Sequence, residues 1–313
     1  MAQNTKIEWC DKSWNPVTGC SPISPGCDHC YAEAMHRRFN KRPFSDVICH
    51  EDRLAQPLRM KKPTRIFVNS MSDLFHPDVP ISFVAQVFNT MASWRCTART
   101  SPEQPHEHEH DEICLVDPGH TYFILTKRPE RALRILTHDL PCEVANNWSG
   151  DSAIGSCMEV GCWPLSHVWI GVTVEDQVRA DERYPPMKAL HDAGFHDLFI
   201  SNEPALASID WRPWMPIIRW AICGGETGRN GRPMRPDWPR SLRDECVAAQ
   251  VPFFFKHWGE WVAPDHPEFY APPNRAIAHV QSEGPVLTMT RVGKKRTGRL
   301  LDGREWNEMP EPK

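Results

Sequence analysis

Six short apolar runs, each closing on polar residues, constrain the fold of this chain more than any other feature. They are Arg65–Asn69, Tyr122–Thr126, Val168–Thr173, Asp197–Ser201, Trp220–Gly224 and Pro252–Lys256. β-Branched and aromatic residues dominate them, and an unbroken apolar run reads as a strand buried on both faces. Between them, Ile81–Arg95, Pro129–Leu136, Val178–Ala193 and Trp238–Gln250 read as helices. Strands alternating with helices predict a parallel sheet built from β/α units. A first strand near Ile7–Trp14 brings the total to about seven units. The expected fold is α/β, a full or partial (β/α) barrel, with a doubly wound open sheet as the other arrangement of the same units.

The polar ends of the runs favour the barrel. They read Asn69-Ser70-Met71-Ser72-Asp73, Thr126-Lys127-Arg128, Thr173-Val174-Glu175, Ser201-Asn202-Glu203, Gly224-Gly225-Glu226 and Lys256-His257. Barrel active sites lie at the C-terminal ends of the strands. One such residue alone reads as a helix cap or a turn. Six sets in succession read as a catalytic mouth.

At 313 residues the chain can bury one large α/β domain or two small ones. The expected division is a barrel over 1–261 and a C-terminal extension over 262–313 packing on it. Insertions at about 96–120 and 139–167 fall between a helix and the next strand, so they are expected on the N-terminal, non-catalytic face. A net charge of −4 excludes a wholly basic nucleic-acid surface, though not a local basic groove. No apolar run approaches the roughly 18 residues of a membrane span, and the start lacks the apolar core of a signal peptide. A cytoplasmic protein is expected. In that reducing setting, twelve cysteines argue for metal ligands or buried thiols over disulfides. Cys96, Cys114, Cys157 and Cys162, with the His106–His110 run in reserve, form a candidate second zinc site. Polar disordered loops are the other reading of those insertions. The cations of Lys294–Arg304 either meet phosphate or form a solvated edge, and Arg37, Arg38, Lys41 and Arg42 add local basic character.

Cys20, Cys27 and Cys30 lie within one loop, in the tract Trp14-Asn15-Pro16-Val17-Thr18-Gly19-Cys20 and Gly26-Cys27-Asp28-His29-Cys30-Tyr31-Ala32-Glu33. Structural zinc takes four closed ligands. Three thiolates suit a [4Fe–4S] cluster that keeps one iron open for a substrate or cofactor. A zinc knob completed by His29, His36 or Cys10 is the structural alternative, and an unmetallated loop is another.

The same tract resembles a three-cysteine family of phage and bacterial proteins grouped with the radical S-adenosylmethionine (SAM) enzymes. The resemblance continues in Ser70–His76, Leu125–Pro129, Gly171–Glu175, Glu203-Pro204, Gly224–Gly228, Phe253–Gly259 and Leu300–Trp306. It departs from the common superfamily pattern in two places. Six residues, not three, separate Cys20 from Cys27, and His29 stands where an aromatic residue usually packs near the adenine. The resemblance implies a radical SAM-type barrel. Cys20, Cys27 and Cys30 would bind three irons, and SAM would chelate the fourth. An external electron donor would drive cleavage of SAM to a 5′-deoxyadenosyl radical that abstracts hydrogen from the substrate.

On that reading Ser70, Ser72 and Asp73 take the place that binds the SAM amino group, with Asp73 on the ammonium. Lys127 or Arg128 pairs with the carboxylate, His29 lies near the adenine, and Glu175 holds ribose hydroxyls. Glu203, Glu226, Lys256 and Arg299 are candidate substrate contacts. The substrate suggested by the resemblance and the basic tail is a base in DNA or RNA, modified or repaired, with a small molecule or a peptide as the other substrate class. Two other classes are consistent with the residues. One is a zinc-stabilised module that binds nucleic acid or protein without catalysis. The other is a metal-dependent hydrolase using Asp73, Glu175, Glu203 and Glu226.

Overall fold

A computed structural model describes residues 3–5, 7–97, 119–147, 152–159, 161–264, 275–281 and 285–311. The strands in chain order are β1 (Gln3–Asn4), β2 (Lys12–Trp14), β3 (Val17–Thr18), β4 (Ile48–Cys49), β5 (Arg65–Val68), β6 (Thr121–Thr126), β7 (Val168–Thr173), β8 (Leu198–Asn202), β9 (Trp220–Gly224) and β10 (Phe253–His257). Helices α1 (Tyr31–Phe39), α2 (Ile81–Thr97), α3 (Pro129–Arg134), α4 (Leu140–Asn147), α5 (Ala153–Glu159), α6 (Gln177–Asp192) and α7 (Asp237–Ala249) lie between them, with a π-helical turn at Ile135–Asp139. The main sheet has the order β1-β2-β5-β6-β7-β8-β9-β10. β1 runs antiparallel at its edge, and every other neighbouring pair is parallel. Seven consecutive parallel strands are the expected α/β sheet. They form a partial barrel: β2 and β10 do not pair.

The sheet curls because its inner face carries large rings. Trp9, Phe67, Phe123, Trp169, Phe199, Trp220, Ile222 and Phe254 form one buried cluster. Phe123 on β6 and Trp220 on β9 have ring centroids 5.5 Å apart, although β7 and β8 lie between their strands. Strands sit about 4.8 Å apart, so a flat sheet would hold those positions roughly 14 Å apart. Trp9 closes the ring from the other side, 5.7 Å from both Phe123 and Trp220. Gly171 leaves the room this needs: a Cβ there would sit 2.2 Å from the Phe199 ring. Alternate residues of the same strands, among them Ile66, Ile124, Ile170, Ile200 and Phe255, face the larger core under the helices.

The C-terminal residues bind the last strand. Phe255 N donates to Trp306 O at 2.9 Å, and Asn307 bridges Phe254, which covers the β10 edge. Trp220 Nε1 donates to Glu308 O, and Met309 packs on the inner cluster while accepting from Arg65 Nη1 at 2.9 Å. The tail therefore reaches from β10 across to the β5 side.

Three segments differ from the sequence reading. The first strand is confined to Lys12–Trp14, because Trp9 and Cys10 turn into the inner cluster. Within 139–167, α4 and α5 bury Leu140, Val144, Ile154 and Cys157. Within 262–294, strands β11 (Trp261–Val262), β12 (Ile277–Val280) and β13 (Leu287–Arg291) form an antiparallel sheet ordered β11-β13-β12. It is followed by α8 (Lys294–Thr297) and the hairpin β14 (Leu300–Leu301) and β15 (Arg304–Glu305). Cys114, the His106–His110 run and the Cys96 side chain lie outside the described residues. Cys157 is a buried thiol, whereas Cys162 is disulfide-bonded, so its sulfur has no thiolate to offer zinc. No helix among the described residues is long and apolar enough to cross a membrane.

Candidate active site

The three-cysteine loop leaves β3 through Gly19, whose φ of +94° suits glycine. A Cβ at Gly19 would lie 2.1 Å from the Asp46 carbonyl oxygen, so the turn into the loop has no room for another residue. Cys20 N donates to Phe44 O at 2.8 Å, a short 3₁₀ turn spans Pro25–Cys27, and α1 begins directly after Cys30. Cys20, Cys27 and Cys30 are reduced and half-buried.

Three strand ends grip this loop. At the end of β6, Arg128 donates through Nη1 to Cys20 Sγ (3.6 Å) and through Nη2 to Ser21 O (2.9 Å). The same guanidinium pairs with Asp73 at 3.1 Å, and both groups are buried. After β7, the fully buried Glu175 accepts from Gly26 N at 3.3 Å and from Arg183 Nη1 at 2.6 Å. After β9, Glu226 meets His29 Nδ1 at 3.0 Å and accepts from Arg232 Nη2 at 2.6 Å. Arg232 reaches on to Pro25 O (2.7 Å) and Asp28 (3.2 Å). Most loop residues from Cys20 to His29 are thus tied to a charged group on the barrel. Charge-assisted hydrogen bonds of this kind are short and strong.

Below the loop, Lys256 donates to both oxygens of Glu203 at 2.9 and 3.0 Å, and His257 Nε2 stands 3.3 Å from Glu203. The β9–β10 register shifts at Lys256, and its side chain is directed to Glu203 at the end of β8. Gly224 packs beside it: a Cβ there would meet Glu203 at 3.4 Å. One Lys–Glu pair thus stands at the ends of β8 and β10, on the side of the sheet where the strand ends hold the cysteine loop.

The carboxyls here are held ionised. Burial alone would raise Glu203, yet Lys256 and His257 hold it far below the carboxylate range. Glu175 is opposed in the same way by burial and lowered by Arg183, and Glu226 is lowered by Arg232 and His29. Burial pushes the Cys20 thiol up, helped by Asp73 and opposed by Arg128. The depressed carboxyls bind fewer protons folded than unfolded. Their stabilisation is complete above the ordinary value of 4.5 and is lost as pH falls through the lower folded values. The melting temperature is expected to fall steeply below about pH 4.5, and less steeply in Glu203→Gln. Melting curves by circular dichroism from pH 7 to 3 check this, and identical slopes would refute it.

The donor set suits an iron–sulfur cluster. Three reduced thiols stand on a fixed loop with a guanidinium against one of them, and thiolates are the usual cluster ligands. Among the described residues no three His, Cys, Asp or Glu side chains are gathered round the position of a single metal ion. Each of Asp73, Glu175, Glu203 and Glu226 is instead neutralised by its own cation.

Several residues expected to contact cofactor or substrate are engaged elsewhere. Asp73 accepts from Phe75 N, Thr126 Oγ1, Lys127 N and Arg128 Nη1, which fills the roughly four acceptor positions of a carboxylate and leaves none for an ammonium. Ser70 Oγ donates to Asn15 Oδ1 and Ser72 Oγ to Val17 O. Glu175, Glu226, Arg128 and His29 hold the loop. Arg299 lies over the Phe254 ring at 5.3 Å and donates to Asn307, so it fastens the tail. Lys127 runs beside Gly26 and lowers Glu175 by its charge. Arg183 and Arg232 lie outside the residues expected from the sequence. Nothing in the pattern of α6 marks Arg183, and Arg232 sits in a glycine-flanked tract whose only signal is its nearness to Glu226. Asn69 Nδ2, at the end of β5, is buried without a hydrogen-bond partner among the described residues.

Solved structures to which this chain is similar include spore photoproduct lyase complexed with dinucleoside spore photoproduct. That chain is 10% identical, with 93% of this chain and 71% of that one covered and a TM-score of 0.42. A variant of the same lyase with bound AdoMet and dinucleoside spore photoproduct shares 10% identity and the same coverage, at a TM-score of 0.39. No curated protein matches the chain in sequence. Residues 4–98 and 106–310 match one family over nearly the whole length, and the chain belongs to it: the family described as Protein of unknown function (DUF5131).

Proposed function

We propose that this chain is a radical SAM-type enzyme in which Cys20, Cys27 and Cys30 hold a [4Fe–4S] cluster with SAM beside it. One observation carries the reading: three separate strand ends direct buried charges onto a single loop of three reduced thiols. The seven-motif resemblance to the phage and bacterial three-cysteine family supports it independently. Such a cluster, when bound with SAM, supplies one-electron cleavage of the sulfonium and hydrogen abstraction from a substrate. The residues of this chain do the rest. Arg128, Glu175 and Arg232 fix the thiols, and the His29 ring is oriented by Glu226. Lys127 is the cation we assign to the SAM carboxylate, since Arg128 is engaged with Asp73, while Asn69 Nδ2 is an unmet donor among the described residues at the neighbouring strand end. The inner aromatic cluster excludes water, and Glu203 and Lys256 face the substrate.

The substrate proposed is a base in DNA or RNA, reached in the cytoplasm, with an external electron donor. The exposed cations of Lys294, Lys295 and Arg296 support it, since none has an ion pair among the described residues. Gly293 N donates to Glu260 O, and Gly259 packs on Glu226, so these cations stand one loop away from the cysteine site.

Protein purified without oxygen is expected to carry about four irons and matching sulfide per chain. With dithionite it should cleave SAM, and Cys27→Ala should lose both properties while remaining folded. Zinc alone in protein never exposed to air would overturn the proposal and leave a binding module.

A further inference from the structure

Helix α1 is built inside out. It buries Ala32 and His36, yet Tyr31, Met35 and Phe39 are 51%, 46% and 80% exposed. These three recur at four-residue intervals, so they form one stripe along the helix. The usual amphipathic helix turns such a stripe to the core. Here it faces outward and begins at the site itself, because Tyr31 follows Cys30 directly and its hydroxyl donates to the carbonyl of Ser70. From Tyr31 to Phe39 the stripe spans roughly 12 Å.

Cations flank it. Residues 31–42 hold Arg37, Arg38, Lys41 and Arg42 against Glu33 as the sole acid. Arg37 pairs with Glu33 at 2.6 Å, and Arg42 is tied to Thr18 Oγ1 and the Asp46 carbonyl. Arg38 and Lys41 are exposed and have no ion pair among the described residues. Arg38 is three residues beyond Met35 and so shares the stripe's face.

We infer that this face of α1 is the track along which a single-stranded nucleic acid reaches the cysteine site, its bases stacking on Phe39 and Tyr31 and its phosphates meeting Arg38 and Lys41. Flat exposed rings interleaved with unpaired cations suit single strands, whose bases offer π faces that a duplex hides. An acidic polypeptide would satisfy the charges and leave the rings unmatched. The inference rests on the nucleic-acid substrate proposed above and locates where that substrate lies.

The test is fluorescence anisotropy of a labelled single-stranded oligonucleotide of about a dozen nucleotides, as DNA and as RNA, with the full-length protein. Phe39→Ala is expected to weaken binding about tenfold. Arg38→Gln should reduce the slope of log affinity against log salt by about 0.7. Both side chains are exposed, so melting temperature and iron content should stay at wild-type values. Wild-type protein that does not bind the oligonucleotide overturns the inference, as does affinity indifferent to Phe39→Ala. Equal competition by poly-glutamate of matched charge overturns it too, because the stripe would then read charge alone. The two readings fail separately. Iron and SAM cleavage without oligonucleotide binding sinks the track, whereas Phe39-dependent binding in a protein that holds no iron sinks the enzyme reading.

Discussion

Arg128→Met is expected to destabilise the fold by about 3–5 kcal/mol and to abolish iron retention, the first because a buried charge loses its partner. Asp73 is 5% exposed, and Arg128 supplies the only formal positive charge in its ring of donors. Met fills similar volume without that charge. The same change removes the donors to Cys20 Sγ and Ser21 O, so the first thiol of the loop is no longer held. The two effects separate in a second variant. Asp73→Asn with Arg128→Met removes both charges, and replacing a buried ion pair as a unit is often nearly neutral. Stability should return towards wild type while iron stays low. Urea unfolding and iron per chain read the two quantities. Wild-type iron in Arg128→Met would show that the guanidinium does not position the cluster loop.

The sequence made the strands legible because a parallel sheet covered on both faces needs continuous apolar runs, and those of β5 to β10 are unbroken. It did not show the curl. That depends on which residues of each run face inward, and Phe123 meets Trp220 only once two intervening strands are bent. It also could not show the break in the first strand, where Trp9 and Cys10 enter the inner cluster.

Strand-end position located charged side chains without revealing their partners. Glu175, Glu203 and Glu226 follow β7, β8 and β9. Their roles depend on Arg183, Lys256 and Arg232, and the Glu203–Lys256 pair joins residues 53 apart in sequence. A carboxylate expected to meet a ligand and one that holds a loop look alike until the cation beside it is located. The antiparallel strands of the tail were hidden for another reason. Ile277-Ala278-His279-Val280 alternates only between exposed and half-buried positions, so its apolar pattern is weak.

Glu175 and Arg183 supply the second large effect. Their 2.6 Å pair is sealed from solvent on both sides. Arg183→Leu strands a buried carboxylate and is expected to lower stability by about 3–5 kcal/mol. Adding Glu175→Gln removes that charge, and the double variant should recover most of the loss, since Gln keeps the length and an oxygen that can accept from Gly26 N. Glu175→Leu with Arg183→Leu should be as stable, yet it offers Gly26 no acceptor. If Glu175 acts mainly to fix the cysteine loop, iron content will follow the acceptor and not the stability. It should be near wild type in the Gln–Leu protein and low in the Leu–Leu protein, at matched unfolding midpoints. Equal iron in the two would make the pair a core element alone. Gly26 sharpens the distinction, because its Cβ position lies 3.0 Å from the Glu175 carboxylate. Gly26→Ala therefore crowds the loop against its acceptor while both charges of the pair remain, and it should reduce iron retention while costing about 1 kcal/mol of stability, far less than Arg183→Leu.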